Sequence, residues 1–125
     1  MNGKSTNLSK LQMTKINEIV AIQFIKGKNE NDLPEIRLYR SPDGKKGQAV
    51  YKFSKPMTIT LDNFNSIHKM YLIDEEGELS TRKIDLSISD NNIKEVKSTY
   101  NWSTEKEFKR FMRFAKRYAR STSNI

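Results

Sequence analysis

The sequence predicts an α+β domain in which an antiparallel β-sheet of about five to six hairpin-connected strands carries an amphipathic C-terminal helix packed on it. Three observations lead there. Apolar residues alternate at period two in short segments between positions 18 and 101. Turn-forming triplets separate those segments: Pro42-Asp43-Gly44, Glu75-Glu76-Gly77 and Asp90-Asn91-Asn92. From Thr104 onward the apolar spacing changes to that of a helix.

Residues 18–26 form the first predicted strand, with Val20, Ile22 and Phe24 on one face; Gly27 ends it, and a polar loop runs to Pro34. In 35–41, Ile36 and Leu38 share one face while Arg37 and Tyr39 share the other. The next strand, 48–53, aligns Ala49, Tyr51 and Phe53. Residues 56–65 are irregular, with one helical turn at 61–64. Segments 67–74 and 79–89 flank the 75–77 turn as a hairpin, with Met70 and Leu72 directed inward and glycine at the position needing positive φ. In its second arm Ile84, Leu86 and Ile88 alternate with Lys83, Asp85 and Ser87, one buried and one wet face. Asparagine tolerates the left-handed turn that leads into the last strand, 93–101. Thr104 caps the helix, with Glu107 completing a capping box. Phe108, Phe111, Met112, Ala115, Tyr118 and Ala119 then form the apolar stripe, with Phe114 at its edge and the six bases between 109 and 120 opposite.

A chain of 125 residues is the size of one domain. The pattern divides it into a flexible basic tail at 1–18, a single sheet-plus-helix domain at 19–120, and a C-terminal tail at 121–125. The formal charge of +8 is concentrated at the ends. Residues 1–17 hold three lysines and no acid, and residues 109–120 hold six bases and no acid, whereas 18–108 balances 14 bases against 15 acids. Such polarity points to an acidic partner. Without cysteine, thiolate catalysis, disulfides and zinc–thiolate sites are excluded. His68 is the one histidine, so a His–His site is excluded and a Ser–His device has no support from spacing. Asp74, Glu75, Glu76 and Glu78 lack the spacing of a calcium loop and read as a solvated turn. No apolar run approaches the roughly 18 residues of a membrane span, and the N-terminus lacks the roughly 7–15-residue apolar block of a secretory signal. These features describe a binding domain without cofactor or catalytic constellation. A basic nucleic-acid-binding module, for example for organellar RNA, is the alternative, although no RNA-recognition motif or zinc finger is present.

Two long segments, Met70-Tyr71-Leu72-Ile73-Asp74-Glu75-Glu76-Gly77-Glu78-Leu79-Ser80-Thr81-Arg82 and Arg110-Phe111-Met112-Arg113-Phe114, resemble the signature blocks of the Psb28 family, small accessory proteins of photosystem II. Ile22-Gln23-Phe24-Ile25-Lys26-Gly27, Arg37-Leu38 with Arg40-Ser41 and Asp43-Gly44, and Arg117-Tyr118-Ala119 fit the same pattern. The resemblance implies a non-catalytic, cofactor-free assembly factor of photosystem II. It would dock transiently on the stromal (cytosolic) face of intermediates containing the reaction-centre core and the larger inner antenna protein, peripheral to the thylakoid membrane. It also implies strand addition between the sheet and a tail of that antenna protein. No nucleic acid is expected as partner, and the free protein is expected to be monomeric. Family members commonly carry acids at the positions of Lys109 and Lys116, so the cationic helix face is purer here. Arg110, Arg113, Lys116 and Arg117 are the expected electrostatic contacts, and the hairpin residues Met70, Tyr71, Leu72, Asp74, Glu75, Glu76, Gly77, Glu78 and Arg82 the family signature. Abundant Lys, Ile and Asn suggest an AT-rich genome, hence a plastid of an alga first and a cyanobacterium second.

Overall fold

A computed structural model describes residues 19–123 and resolves the period-two segments into two antiparallel sheets where the sequence suggests one. In the first, strand β1 (Ala21–Ile25) lies between β2 (Lys28–Asn29) and β5 (Met70–Asp74), and β5 pairs in turn with β6 (Gly77–Thr81). In the second, the order is β3 (Glu35–Arg40), β4 (Gly47–Phe53), β8 (Asn92–Trp102) and β7 (Ile84–Ser89). Helix α1 (Glu105–Ser123) follows β8. The α+β class holds, with eight strands in place of five or six.

The extra strands have local causes. The predicted arm 79–89 breaks at Arg82-Lys83, so that β6 belongs to one sheet and β7 to the other. The Thr81 hydroxyl donates to the Thr99 carbonyl at 2.6 Å, and the Thr99 N–H donates to the Lys83 carbonyl at 3.0 Å. Two hydrogen bonds at the crossing thus tie the corner to β8. The polar loop 27–34 contains the two-residue β2, which folds back on β1 across a register shift. It also carries Glu30, 4% exposed, whose carboxylate accepts the N–H groups of Asp32, Met57 and Thr58 and the Thr58 hydroxyl at 2.7–3.0 Å. Four donors replace water around this buried charge and pin the irregular segment after β4 to the β2 loop.

The helical turn expected at 61–64 is a 3-10 turn at Phe64–Ser66. Asn63 displaces it by bonding both the Thr60 N–H (2.8 Å) and the Thr58 carbonyl (2.9 Å) ahead of it. The capping box at Thr104 forms, with the Glu107 N–H on the Thr104 hydroxyl at 3.1 Å; the return bond comes from the Ser103 N–H at 3.0 Å. The helix runs through Ser123, into the predicted C-terminal tail, and the Ser121, Thr122 and Ser123 hydroxyls bond back onto its last carbonyls. The predicted 1–18 tail and residues 124–125 lie outside the described residues.

Between the sheets and helix sits one core. Ile22 and Phe24 of β1, Met70 and Leu72 of β5, and Ala49, Tyr51 and Phe53 of β4 face inward as their alternation predicts. Phe24 meets Phe53 edge-on at 5.1 Å, joining the sheets. Of the predicted stripe, Phe111 and Tyr118 are buried and Phe108, Met112 and Ala115 pack partly buried against the core, while Ala119 is exposed and Phe114, predicted at the edge, is wholly buried. The helix is thus turned slightly toward Phe114, whose ring removes far more apolar surface from water than a methyl group. Phe111 stacks on Trp102 at 5.2 Å and on Tyr100 at 5.4 Å.

Gly47 lies opposite Trp102 in the β4–β8 register. A Cβ there would stand 2.5 Å from Trp102 Cζ2 and still closer to the Tyr39 carbonyl, so the close approach of ring and backbone requires glycine. Gly47→Ala should lower stability by about 2–3 kcal/mol, read as a drop in the thermal unfolding midpoint, while Ala substitution at exposed Lys94 leaves it unchanged.

Candidate functional site

The two signature segments meet in space. The β5–β6 hairpin has a two-residue loop, Glu75-Glu76, closed by Gly77 at φ +128. That glycine turns the chain so that Asp74, at the end of β5, and Glu76 point at α1. On the helix, Arg110, Arg113 and Arg117 recur at spacings of three and four and so share one face. Arg110 donates to both Asp74 oxygens, at 2.9 and 2.7 Å, in a bidentate pair. Arg117 Nη1 bridges Asp74 Oδ2 (2.9 Å) and Glu76 Oε2, and its Nε stands 3.5 Å from Glu75. Arg113 grips Glu76 with two bonds of 2.7 and 2.8 Å. Three guanidinium groups therefore neutralise three carboxylates.

The Asp74 side chain is wholly buried, and those of Arg110 and Arg117 are 17% and 22% exposed. Burial alone would raise the Asp74 carboxyl, but the bonds from Arg110 and Arg117 and from the Glu76 N–H outweigh it and hold it below the usual value. Bonds from Arg113 and Arg117 pull Glu76 down to about 2. The solvated acidic turn expected from sequence is instead the anionic half of a lock between hairpin and helix. Around Asp74, water is replaced by guanidinium donors that only the folded helix supplies, while Glu75 and Glu76 stay partly in water.

The four cations expected as contacts are therefore separated. Arg110 and Arg117 are turned inward, Arg113 is tied to Glu76 at the rim, and Lys116 is exposed. Reversing the three arginines would strip a buried carboxylate of its donors, so it cannot serve as a clean test of docking. Elsewhere in the hairpin, Met70 and Leu72 are fully buried. Tyr71 carries the Lys26 ammonium 5.1 Å over its ring, and Glu78 pairs with Lys26 at 3.0 Å. Arg82 is exposed beside the crossing between sheets.

A second surface lies at the edge of the β3-β4-β8-β7 sheet. Strand β3 pairs with β4 over six consecutive residues and has no neighbour on its other side among the described residues. All six of its residues are exposed. Ile36 pairs with Tyr51 and Leu38 with Ala49, so both extend the apolar inner face past the edge, 38% and 45% exposed. Arg37 and Tyr39 point to the other face, as their alternation predicts. No sequence signal distinguished β3 from an inner strand, because its pattern is that of any half-buried strand. Arg40 at its end lies 3.9 Å over the Phe108 ring and donates to the Gly44 carbonyl, anchoring the strand to the helix start. Among the described residues no group of three or more His, Cys, Asp or Glu side chains is arranged to hold a metal, and His68 is exposed on the surface. Burial pushes the Tyr118 phenol up to about 12.

The sequence profile of the family described as Psb28 protein matches residues 22–123, which span both halves of the lock and the β3 edge. The chain belongs to the Psb28 family. It is 71% identical over 111 residues to the photosystem II reaction center Psb28 protein of Prochlorococcus marinus strain NATL2A, covering 89% of this chain and 98% of that protein. The protein of the same name in P. marinus strain MIT 9211 is 46% identical over 88% of this chain and 92% of its own length. That of Synechococcus sp. strain CC9605 is 43% identical over 79% of this chain and 78% of its own length. In this Psb28-family chain the hairpin turn at 74–76 and the helix segment 110–117 are thus the two sides of one ion-pair cluster.

Two outcomes follow for stability. Arg110→Ala should cost about 2–4 kcal/mol, because it leaves a buried carboxylate short of donors, whereas Arg113→Ala at the exposed rim should cost under about 1 kcal/mol; urea unfolding compares them. The carboxylates of Asp74 and Glu76 have folded pKa values below their unfolded ones. Their contribution is therefore full above the unfolded carboxylate range near pH 4 and falls away below it, for Glu76 as pH drops through about 2. Thermal melts between these pH values should show the loss, and Arg117→Ala should flatten it.

Proposed function

We propose that this chain is a non-catalytic accessory factor of photosystem II that docks on the stromal (cytosolic) face of assembly intermediates containing the reaction-centre core and inner antenna. It leaves before the complex matures, and it docks through the β3 edge. Its relatives, named as photosystem II reaction center proteins, support the association. Those relatives are cyanobacterial, which favours a cyanobacterial thylakoid over the plastid suggested by composition. No helix among the described residues is long and apolar enough to cross a membrane, in keeping with a peripheral position.

The observation that carries the docking mode is the uncovered β3 edge. A strand with one neighbour leaves alternate backbone N–H and C=O groups without a partner in the sheet, a template for an added strand. Proteins usually shield such an edge with charges directed inward or with a bulge. Here the register is unbroken over six residues, and the inward positions at the edge are Ile36 and Leu38. An incoming extended segment of the partner would complete the ladder and cover both side chains. The other edge of the same sheet, β7, carries a register shift at Ser87-Ile88 and is a poorer template for a long ladder; in the first sheet the edge strands β2 and β6 are shorter, at two and five residues.

Ile36→Lys combined with Leu38→Lys should leave the fold intact, since both sites are already partly in water, and should abolish co-migration of the tagged protein with photosystem II intermediates on native gels. Unchanged co-migration of a folded double variant would remove β3 as the docking edge.

A further inference from the structure

With Phe111, Phe114 and Tyr118 facing the core, the side of α1 diametrically opposite carries Lys106, Lys109, Arg113, Lys116 and Arg120. The spacings between them are three, four, three and four residues, so the five form one straight stripe roughly 21 Å long at 1.5 Å per residue. All five are exposed. Arg113 belongs to the rim of the lock and Lys109 meets Glu105 at 3.5 Å; Lys106, Lys116 and Arg120 have no ion-pair partner among the described residues. The helix has no acid after Glu107. No apolar side chain stands within the stripe.

We infer that this stripe adsorbs the protein electrostatically to an anionic lipid bilayer surface. Three considerations argue for a lipid surface over a protein one, and a fourth fixes the mode of contact. A protein interface draws most of its affinity from a few desolvated aromatic or aliphatic anchors, and this stripe offers none. A sheet of lipid headgroups presents delocalised negative charge, which needs only aligned, flexible cations at a common height. Lysine, which supplies three of the five positions, is a strongly hydrated point charge suited to loose contact and poorly suited to the bidentate geometry of a specific pair. Finally, the apolar face of the helix is committed to the core, so the helix cannot insert its greasy side as an interfacial amphipathic helix does. Contact must then be shallow, reversible and salt-sensitive, decaying over a Debye length of about 10 Å at 0.1 M ionic strength. This inference does not depend on docking through β3 or on photosystem II as partner.

The test is co-sedimentation of the full-length protein with vesicles of phosphatidylcholine mixed with phosphatidylglycerol, against pure phosphatidylcholine vesicles, at low and high salt. Binding is expected only to the anionic vesicles and only at low salt. The quadruple variant Lys106→Gln, Lys109→Gln, Lys116→Gln and Arg120→Gln should partition roughly 10²–10³-fold less, taking about fivefold for each basic residue near an anionic surface. A control with the same net charge, Lys28→Gln, Lys55→Gln, Lys94→Gln and Lys97→Gln, should partition within about threefold of the parent, since those cations lie away from the stripe. Circular dichroism and melting of both variants establish that they fold. Failure of the parent chain to sediment with anionic vesicles at low salt would overturn the inference, and so would an equal loss in both variants, which would indicate net charge alone. If co-migration with photosystem II persists in the stripe variant while vesicle binding is lost, the lipid assignment stands apart from the docking reading.

Discussion

The buried carboxylate of Asp74 is the constraint on which the rest of this architecture depends. It sits at the end of β5 with no exposed surface, and an unpaired carboxylate there would be costly enough to be protonated or to unfold its surroundings. The chain meets that demand from a helix 36 residues further on, through Arg110, with Arg117 closing the other side. Satisfying this charge and burying the Phe114 ring demand the same facing of α1, with Phe111, Phe114 and Tyr118 in the core and the remaining cations outward. Electrostatics and burial thus act together on which residues form the core and which form the surface.

The same helix divides its bases between two faces. Arg110 and Arg117 lie on the face that meets the hairpin, with Arg113 at its rim, where planar guanidinium groups can hold two carboxylate oxygens at once. Lys106, Lys109, Lys116 and Arg120 lie on the outer stripe in contact with water. Lys109 and Lys116 belong to the outer stripe and take no part in the lock. One helix thus carries a structural task on one side and a charged surface on the other.

Legibility in the sequence followed the range of the deciding interaction. The inward sets of β1, β4 and β5, the turn at Gly77 and the cap at Thr104 were all readable, because period-two alternation and capping are settled within a few residues. The partition into two sheets was not, since the break after Thr81 depends on hydrogen bonds to Thr99. Glu30 looked like one acid in a polar loop, because its donors at Met57 and Thr58 lie 27 and 28 residues away. The pairing of Asp74, Glu75 and Glu76 with three arginines at helical spacing was present as charge complementarity between two segments. Reading each segment alone assigned one to solvent and the other to a partner. Which strand stands uncovered at an edge was also beyond reach, as the pattern of β3 is that of any half-buried strand.

The Asp74–Arg110 pair couples hairpin to helix and is not a free docking charge. A double-mutant cycle on Asp74→Ala and Arg110→Ala, read by urea unfolding, measures that coupling. The structure predicts a coupling energy of about 2 kcal/mol or more, with each single variant nearly as unstable as the double. Additive effects with a coupling below about 0.5 kcal/mol would contradict it.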